Sequence, residues 1–366
     1  MRKIWLLLCL VWIGNMGAAQ PGTISETEME KIYQEVKTPY KYGLVLTPNQ
    51  KGDLMDCPTV YRQGKKWYMT YIVFDGEGYE TWLAESADLL DWKVLGKQMS
   101  KESGDKWDSM QRAGYNALID TKWGGSYKLH KYEGKYWMSY FGGSSVGYEP
   151  EPLAIGMAYT AEKPTKPMEW LRLDKPVLTS EDEDVRWWEN RHKLFKSYVM
   201  EDKKRNTGHR FIMYYNAVGD SLENNKPTRW YERIGMAVSD DMKNWKRYLE
   251  EPVVHHPQGI TGDPMIQRIN NTWVMFYFGA FWKDREGAFN RFAASKDLIH
   301  WTDWQGDNLI ESSEDFDNQY AHKSFVIKHK GVVYHYYCAV DKDGNRGIAL
   351  ATSKDKGKSK VKFESN

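Results

Sequence analysis

The 366-residue sequence has no apolar run long enough to cross a bilayer and no surplus of charge. A span needs about 20 consecutive apolar residues. With 51 Lys+Arg against 50 Asp+Glu, the formal net charge is +1. A binder of nucleic acid or anionic membrane would need a positive excess, so both classes are disfavoured. Cysteine is scarce, with 3 in the chain, and Cys9 lies in a leader-like start. The remaining pair, Cys57 and Cys338, does not make a disulfide framework, and buried free thiols are the expectation. No zinc-spaced Cys/His set or nucleophile elbow is visible, and Gly76-Glu77-Gly78 lacks the helix a dinucleotide site requires. Phenylalanine, at 12, is outnumbered by 17 Trp and 24 Tyr. Such amphipathic aromatics either pack a β-rich scaffold or stack flat ligands such as sugar rings. At 14 % aromatic and 41 % hydrophobic, the chain is folded and large enough to bury a core.

The start reads as a targeting segment over residues 1–19. Arg2 and Lys3 form a charged beginning, Ile4 to Ile13 an apolar run, and Gly17-Ala18-Ala19 a small-residue cleavage signal. The expectation is cleavage near Ala19 and export to the periplasm or beyond, without a membrane span. Residues 20–50 read as a lead-in holding one helix at 25–37. Ser25 and Glu28 have capping-box spacing, Met29, Ile32, Tyr33 and Val36 share a face, and Pro39 lies just beyond. Its apolar face must dock on its own domain or on a second subunit, and its own domain is the simpler choice.

Residues 51–366 repeat. An aromatic strand recurs around Met69, Met138, Met213, Met275 and His335, at intervals of 69, 75, 62 and 60 residues. Trp67-Tyr68-Met69-Thr70-Tyr71 and Tyr136-Trp137-Met138-Ser139-Tyr140 are two of the copies. A second element follows: Ser86, Ser239 and Ser295 each precede Asp by two residues and Trp by six. Turn-bounded strand-length runs fill the rest. One repeat holds about four strands and cannot bury both sheet faces alone, so radial packing follows. The fold class is all-β: a five-bladed β-propeller with a short N-terminal helix. Most Trp and Tyr are then blade-packing residues.

Inner strands of a propeller converge on one cavity. Counting back 11 from the central residue reaches Pro58, Pro264 and Ser324, preceded by Asp56-Cys57, Gly262-Asp263 and His322-Lys323. Blade two gives Gly125-Ser126 at this offset. In blade three a polar insertion at 201–208 breaks the count, and His192-Lys193-Leu194-Phe195 is matched to His322-Lys323-Ser324-Phe325 by similarity. Asp56, Asp263, His192, Lys193, His322 and Lys323 thus gather at the openings, with Glu189 and Arg191 just upstream and Asp120 in blade two. Any one of these could be an ordinary turn residue; together they indicate a polar cavity. Two carboxyl groups around such a cavity suit glycoside hydrolysis.

With Asp56-Cys57-Pro58-Thr59-Val60-Tyr61 and Gly262-Asp263-Pro264-Met265 opening two blades, the region from about 50 to 355 resembles the five-bladed propeller glycosidases. It is most similar to glycoside hydrolase families 43 and 117, and more distantly resembles families 32 and 130. The resemblance implies Asp56 as general base and Asp263 as the carboxylate that orients substrate and raises the acid's pKa. The general acid departs from the family pattern: Glu189, His322 and Glu232 are the candidates, in that order. Met55-Asp56-Cys57-Pro58 also differs from the family 32 opening, which disfavours fructan hydrolysis.

The cationic set Lys193, Lys323, Arg191 and Arg112, with His192 and His322, either ion-pairs with the carboxylates or receives an anionic sugar or phosphate. Phosphate would make the enzyme a phosphorylase, as in family 130. Trp123, Trp187 and Trp188, near blade openings, are assigned to sugar stacking. The resemblance requires no cofactor, but leaves a structural cation beside His322 in the central channel open. Insertions at 144–151 and 221–229 suggest one walled end and exo action, in an inverting enzyme trimming a terminal sugar from a plant or algal glycan. A non-catalytic glycan-binding propeller is the rival. Carbohydrate is the expected partner, and monomer and homodimer are both compatible with the sequence.

Overall fold

Four copies of the repeat each fold into a four-stranded antiparallel sheet and the fifth supplies three strands, the second strand being the aromatic one in every case. The computed structural model describes residues 23–219, 231–283 and 285–364. The expected leader at 1–19 and the insertion at 221–229 lie outside these. Blade one comprises Leu54–Gln63, Lys66–Phe74, Tyr79–Ser86 and Lys93–Met99. Blade two comprises Gln111–Asn116, Tyr136–Gly143, Ala154–Thr160 and Leu171–Arg172. Blade three comprises Leu194–Glu201, Phe211–Val218, Glu232–Ser239 and Lys246–Arg247. Blade four comprises Ile260–Ile269, Thr272–Trp282, Arg285–Ser295 and Thr302–Asp303.

Blade five has three strands from the C-terminal part of the chain, Tyr320–His329, Val332–Val340 and Arg346–Thr352. Its fourth is Tyr40–Leu46, antiparallel to Arg346–Thr352. The ring is therefore closed by the N-terminal segment, and the propeller begins near residue 40 rather than at 51. An outer strand far from its blade in sequence carries no repeat signature, which is why the lead-in concealed it.

The central residues Met69, Met138, Met213, Met275 and His335 are all fully buried. Burial holds the His335 imidazole down to about 3, so it is neutral, and its Nε2 meets Ser324 Oγ at 2.7 Å. The Ser-x-Asp element is the turn that ends the third strand of blades one, three and four. Ser86 Oγ accepts from the Leu89 N–H at 2.9 Å, and Ser239 and Ser295 do the same for Met242 and Leu298. The turn then bonds the neighbouring blade: Leu89 O accepts from Tyr336 Oη, and Leu298 O from Tyr214 Oη, each at 2.6 Å. Trp92 and Trp301 meet those same tyrosines edge to face. The aromatic excess is largely this blade-to-blade packing.

The helix runs over Glu26–Val36, with Ser25 Oγ accepting the Glu28 N–H. It docks on its own propeller, where the inner strands end. Met29, Ile32 and Val36 are buried, Tyr33 stacks on Trp304, and Glu35 binds Lys328 and Trp123.

Candidate active site

Four of the five inner strands carry the same irregularity. Pairing with the second strand slips between Asp56 and Thr59, Phe195 and Ser197, Gly262 and Met265, and His322 and Phe325. Within these slips lie Cys57, Lys196, Asp263 and Lys323, all left-handed at φ between 48 and 61. Each stands three residues before the strand partner of the buried central residue, namely Val60, Val199, Ile266 and Val326. A side chain in this region costs about 1–2 kcal/mol, and a bulge re-aims it. Four at one level of a ring turn towards the axis and line a cavity of about 30 Å³ with Tyr115 and Asn116 of blade two.

Beside this ring, Glu232 and Arg346 open the third strands of blades three and five. Each pairs in parallel with the next inner strand, Glu232 with Ile260 and Arg346 with Leu54. The turn between Gly143 and Ala154 in blade two supplies Tyr148 and Glu149.

These side chains form one charged cluster. Lys323 and Arg346 both bind Asp56, the arginine at 3.0 Å. Lys196 lies 3.3 Å from Glu149 and 3.9 Å from Asp263. Asn216 Nδ2 donates to Glu232 and to Asp263, each at 3.3 Å, while the Asp263 N–H donates to Asn216 Oδ1 at 3.0 Å. The Cys57 thiol donates to Asp263 at 3.2 Å.

The carboxyls are driven apart. Burial raises Asp56, but Lys323 and Arg346 outweigh it and hold the group far below the usual range. Burial also raises Glu149, and Lys196 and Lys323 again bring it below its ordinary value. Burial raises Asp263, against the opposing charge of Lys196. Glu232 is pushed up to about 7, chiefly by burial, with Lys196 opposing and the charges of Glu149 and Asp263 adding. A carboxyl half-protonated near neutrality beside one that stays ionised is the division of labour that acid/base chemistry needs.

Of the residues expected from sequence, Asp56, Asp263, His322, Lys323 and Glu232 belong to this cluster, and Lys193 contributes charge to Glu149. Glu189 does not. It is fully buried in a separate network with Arg247 and with Tyr215, whose hydroxyl donates to it at 2.8 Å. Trp188 stacks on Tyr215 and donates to the Glu250 carbonyl, so it is packing. His192 is exposed against Ser180, and Arg191 precedes the inner strand that starts at Leu194.

The match of His192-Lys193 to His322-Lys323 is three residues out of register: Lys196 is the equivalent of Lys323. Arg112 is buried between Glu102 and Asp108 and the Ser100 carbonyl, a structural cross-link. Asp120 and Trp123 lie at the opposite end of the channel. Asp120 caps a turn through Ser126, and Trp123 binds Glu35 of the helix. Both sit in an insertion between the first two strands of blade two, which carries the offset count past its inner strand. Glu149, Arg346, Tyr148 and Asn216 escape the sequence reading because a count to the openings of inner strands reaches none of them, and Lys196 escapes it because the polar insertion breaks that count in blade three.

Asp56, His322 and Cys338 present ligand atoms within 4.8 Å of one another. The site does not fit a cation: Asp56 already holds Lys323 and Arg346, and burial keeps the Cys338 thiol protonated.

No protein-family model and no curated protein matches the chain. Solved structures do. One described as "Glycoside hydrolase" is 50 % identical, with a TM-score of 0.90, over 94 % of this chain and 99 % of its own. Another, a complex of BT0996 and RGII, has the same identity, coverage and TM-score. A family 117 glycoside hydrolase from Zobellia galactanivorans, Zg3597, shares the fold at 13 % identity and a TM-score of 0.60, over 87 % of this chain and 91 % of its own. Half of the aligned positions are shared with a glycoside hydrolase along nearly its full length, and the propeller that carries them superposes closely. On that likeness the chain belongs to the glycoside hydrolases.

Proposed function

We propose that this is an exported, inverting exo-glycosidase in which Glu232 is the general acid and Glu149 the general base. The observation that supports it is the opposite displacement of the two glutamates around Lys196. Glu232, raised to about 7, keeps a proton to give to the leaving oxygen. Glu149, held ionised by Lys196, activates the water. Asp56 is too strongly ion-paired to accept a proton near neutrality. Its role becomes electrostatic, fixing Lys323 and Arg346 at the mouth of the channel. Asp263 and Asn216 position the acid.

Exo action is supported by the cavity of about 30 Å³ beneath the cluster, which is too small to admit a sugar ring. The cations of the cluster are matched by its carboxylates, which favours ion pairing over an anionic sugar at the point of cleavage. Tyr148 is 44 % exposed at the rim, its hydroxyl 2.8 Å from Arg346, and offers a ring face to the substrate. The leader-like start supports export. RGII, named for a structure 50 % identical, is the substrate class to which the reading extends. The test is incubation with RGII oligosaccharides and aryl glycosides, with and without phosphate, while following the anomer of the released sugar. Phosphate-independent release of one inverted monosaccharide is expected. A sugar phosphate, or a retained anomer, would overturn it.

A further inference from the structure

We propose that the face opposite the catalytic cluster carries a second glycan site, for an oligosaccharide bearing uronate carboxylates. A cavity of about 580 Å³ opens there, within the roughly 300–1,000 Å³ typical of ligand sites. Three segments build it: the blade-two insertion at Asp120–Trp123, the end of the inner strand of blade three at 201–204, and the first hairpin of blade four around Arg268 and Trp273. Asp263 and Arg268 share one strand, and at about 3.3 Å per residue the cavity lies roughly 15 Å from the cluster.

The walls are preorganised. The insertion is pinned to blade four by the Trp123 N–H to Arg268 O bond at 3.1 Å and the Arg268 N–H to Thr121 O bond at 2.7 Å. Trp123 is fixed by Glu35 and stacks on Phe276, and the Arg268 guanidinium lies 5.3 Å over the Trp273 ring. Two indoles therefore line a cavity where a sugar ring has a flat partner.

Cations outnumber carboxylates on the lining, four against three, and one of the three carboxylates, Glu201, is paired with Arg210. Asp120 and Asp202 keep their charge but are turned onto neutral donors, Asp120 onto Ser126 and Asp202 onto Thr207 and Asn206. Lys122, Lys203, Lys204 and Arg268 form no ion pair among the described residues, and Arg268 Nε is buried without a hydrogen-bond partner among them. Unspent cations, one of them a planar guanidinium, beside indole faces match a sugar that carries a carboxylate. Such a site would hold an acidic glycan on the enzyme while the cluster trims its end, raising the local concentration of substrate.

The test is calorimetric titration of the full chain with a galacturonic acid tetramer and with its methyl-ester counterpart. The acid is expected to bind at least about tenfold tighter than the ester, and Lys203→Glu with Lys204→Glu to weaken it by about tenfold or more. The same charge change made at Lys356 and Lys360 should leave binding intact, and both variants should hydrolyse a small aryl glycoside normally. Equal binding of acid and ester, no binding, or equal loss in both lysine variants would overturn the site. Loss of tetramer binding in Glu149→Gln would place the ligand in the catalytic cluster and overturn it as well. Because this readout is binding, it stands or falls separately from the acid/base assignment.

Discussion

Lys323 and Asp56 are 267 positions apart in sequence and in direct ionic contact where blade five meets blade one. Arg346 binds the same carboxylate oxygen. Removing one partner of a buried pair strands the other charge and costs about 3–5 kcal/mol. Asp56→Asn should therefore lower the urea midpoint strongly, and adding Lys323→Met should recover part of the loss. The folded-state pKa of Asp56 lies below the unfolded value of about 3.9, so its contribution stands above that pH and disappears as acid protonates the folded state. An unchanged midpoint in the single variant would contradict the seam.

Glu232 has the opposite linkage. Its folded pKa of about 7 exceeds the unfolded value, so its stabilising share is complete below about pH 4.3 and lost as pH rises through 7. Glu232→Gln removes the cost of ionising a buried carboxyl. The variant should melt above wild type at pH 8 and level with it at pH 4; equal differences at both pH values would exclude a raised pKa.

Glu149 and Glu232 are coupled through Lys196. In Glu149→Gln, a like charge is lost and Lys196 is left to Glu232 and Asp263, which lowers the pKa of Glu232. Activity should fall by about 10²–10⁴, and the alkaline limb of the residual kcat/KM should move to lower pH. A limb that stays in place would separate the two groups.

The helix should matter to stability alone. Ile32 is buried against the propeller at the end remote from the cluster. Ile32→Ala should cost about 2–5 kcal/mol while leaving kcat of the folded enzyme unchanged, as read by denaturation and by activity per folded molecule.

The propeller is legible in the sequence because every blade repeats its aromatic strand and four of the five repeat the Ser-x-Asp turn, and both have one structural use. Asp56, Asp263, His322 and Lys323 are legible because the offset from Met or His to the bulge is constant. The same count fails in blade two, whose insertion separates the inner strand Gln111–Asn116 from Met138, and in blade three, where similarity puts Lys193 in the place of Lys196. Glu149 and Arg346 lie outside any count from inner strands, since they come from the turn before a third strand and from its first residue. Glu232, also the first residue of a third strand, is reached only as a third choice for the acid, behind Glu189. A buried glutamate that pairs with arginine and one that is poised to give a proton look alike in sequence.

The assignment of Glu232 is tested most directly by varying the leaving group. Glu232→Gln should lower hydrolysis of an oligosaccharide by about 10²–10⁴, yet cleave a dinitrophenyl glycoside of the same sugar within about tenfold of wild type, because that group departs without a proton. Equal losses on both substrates, or no loss on either, would contradict it.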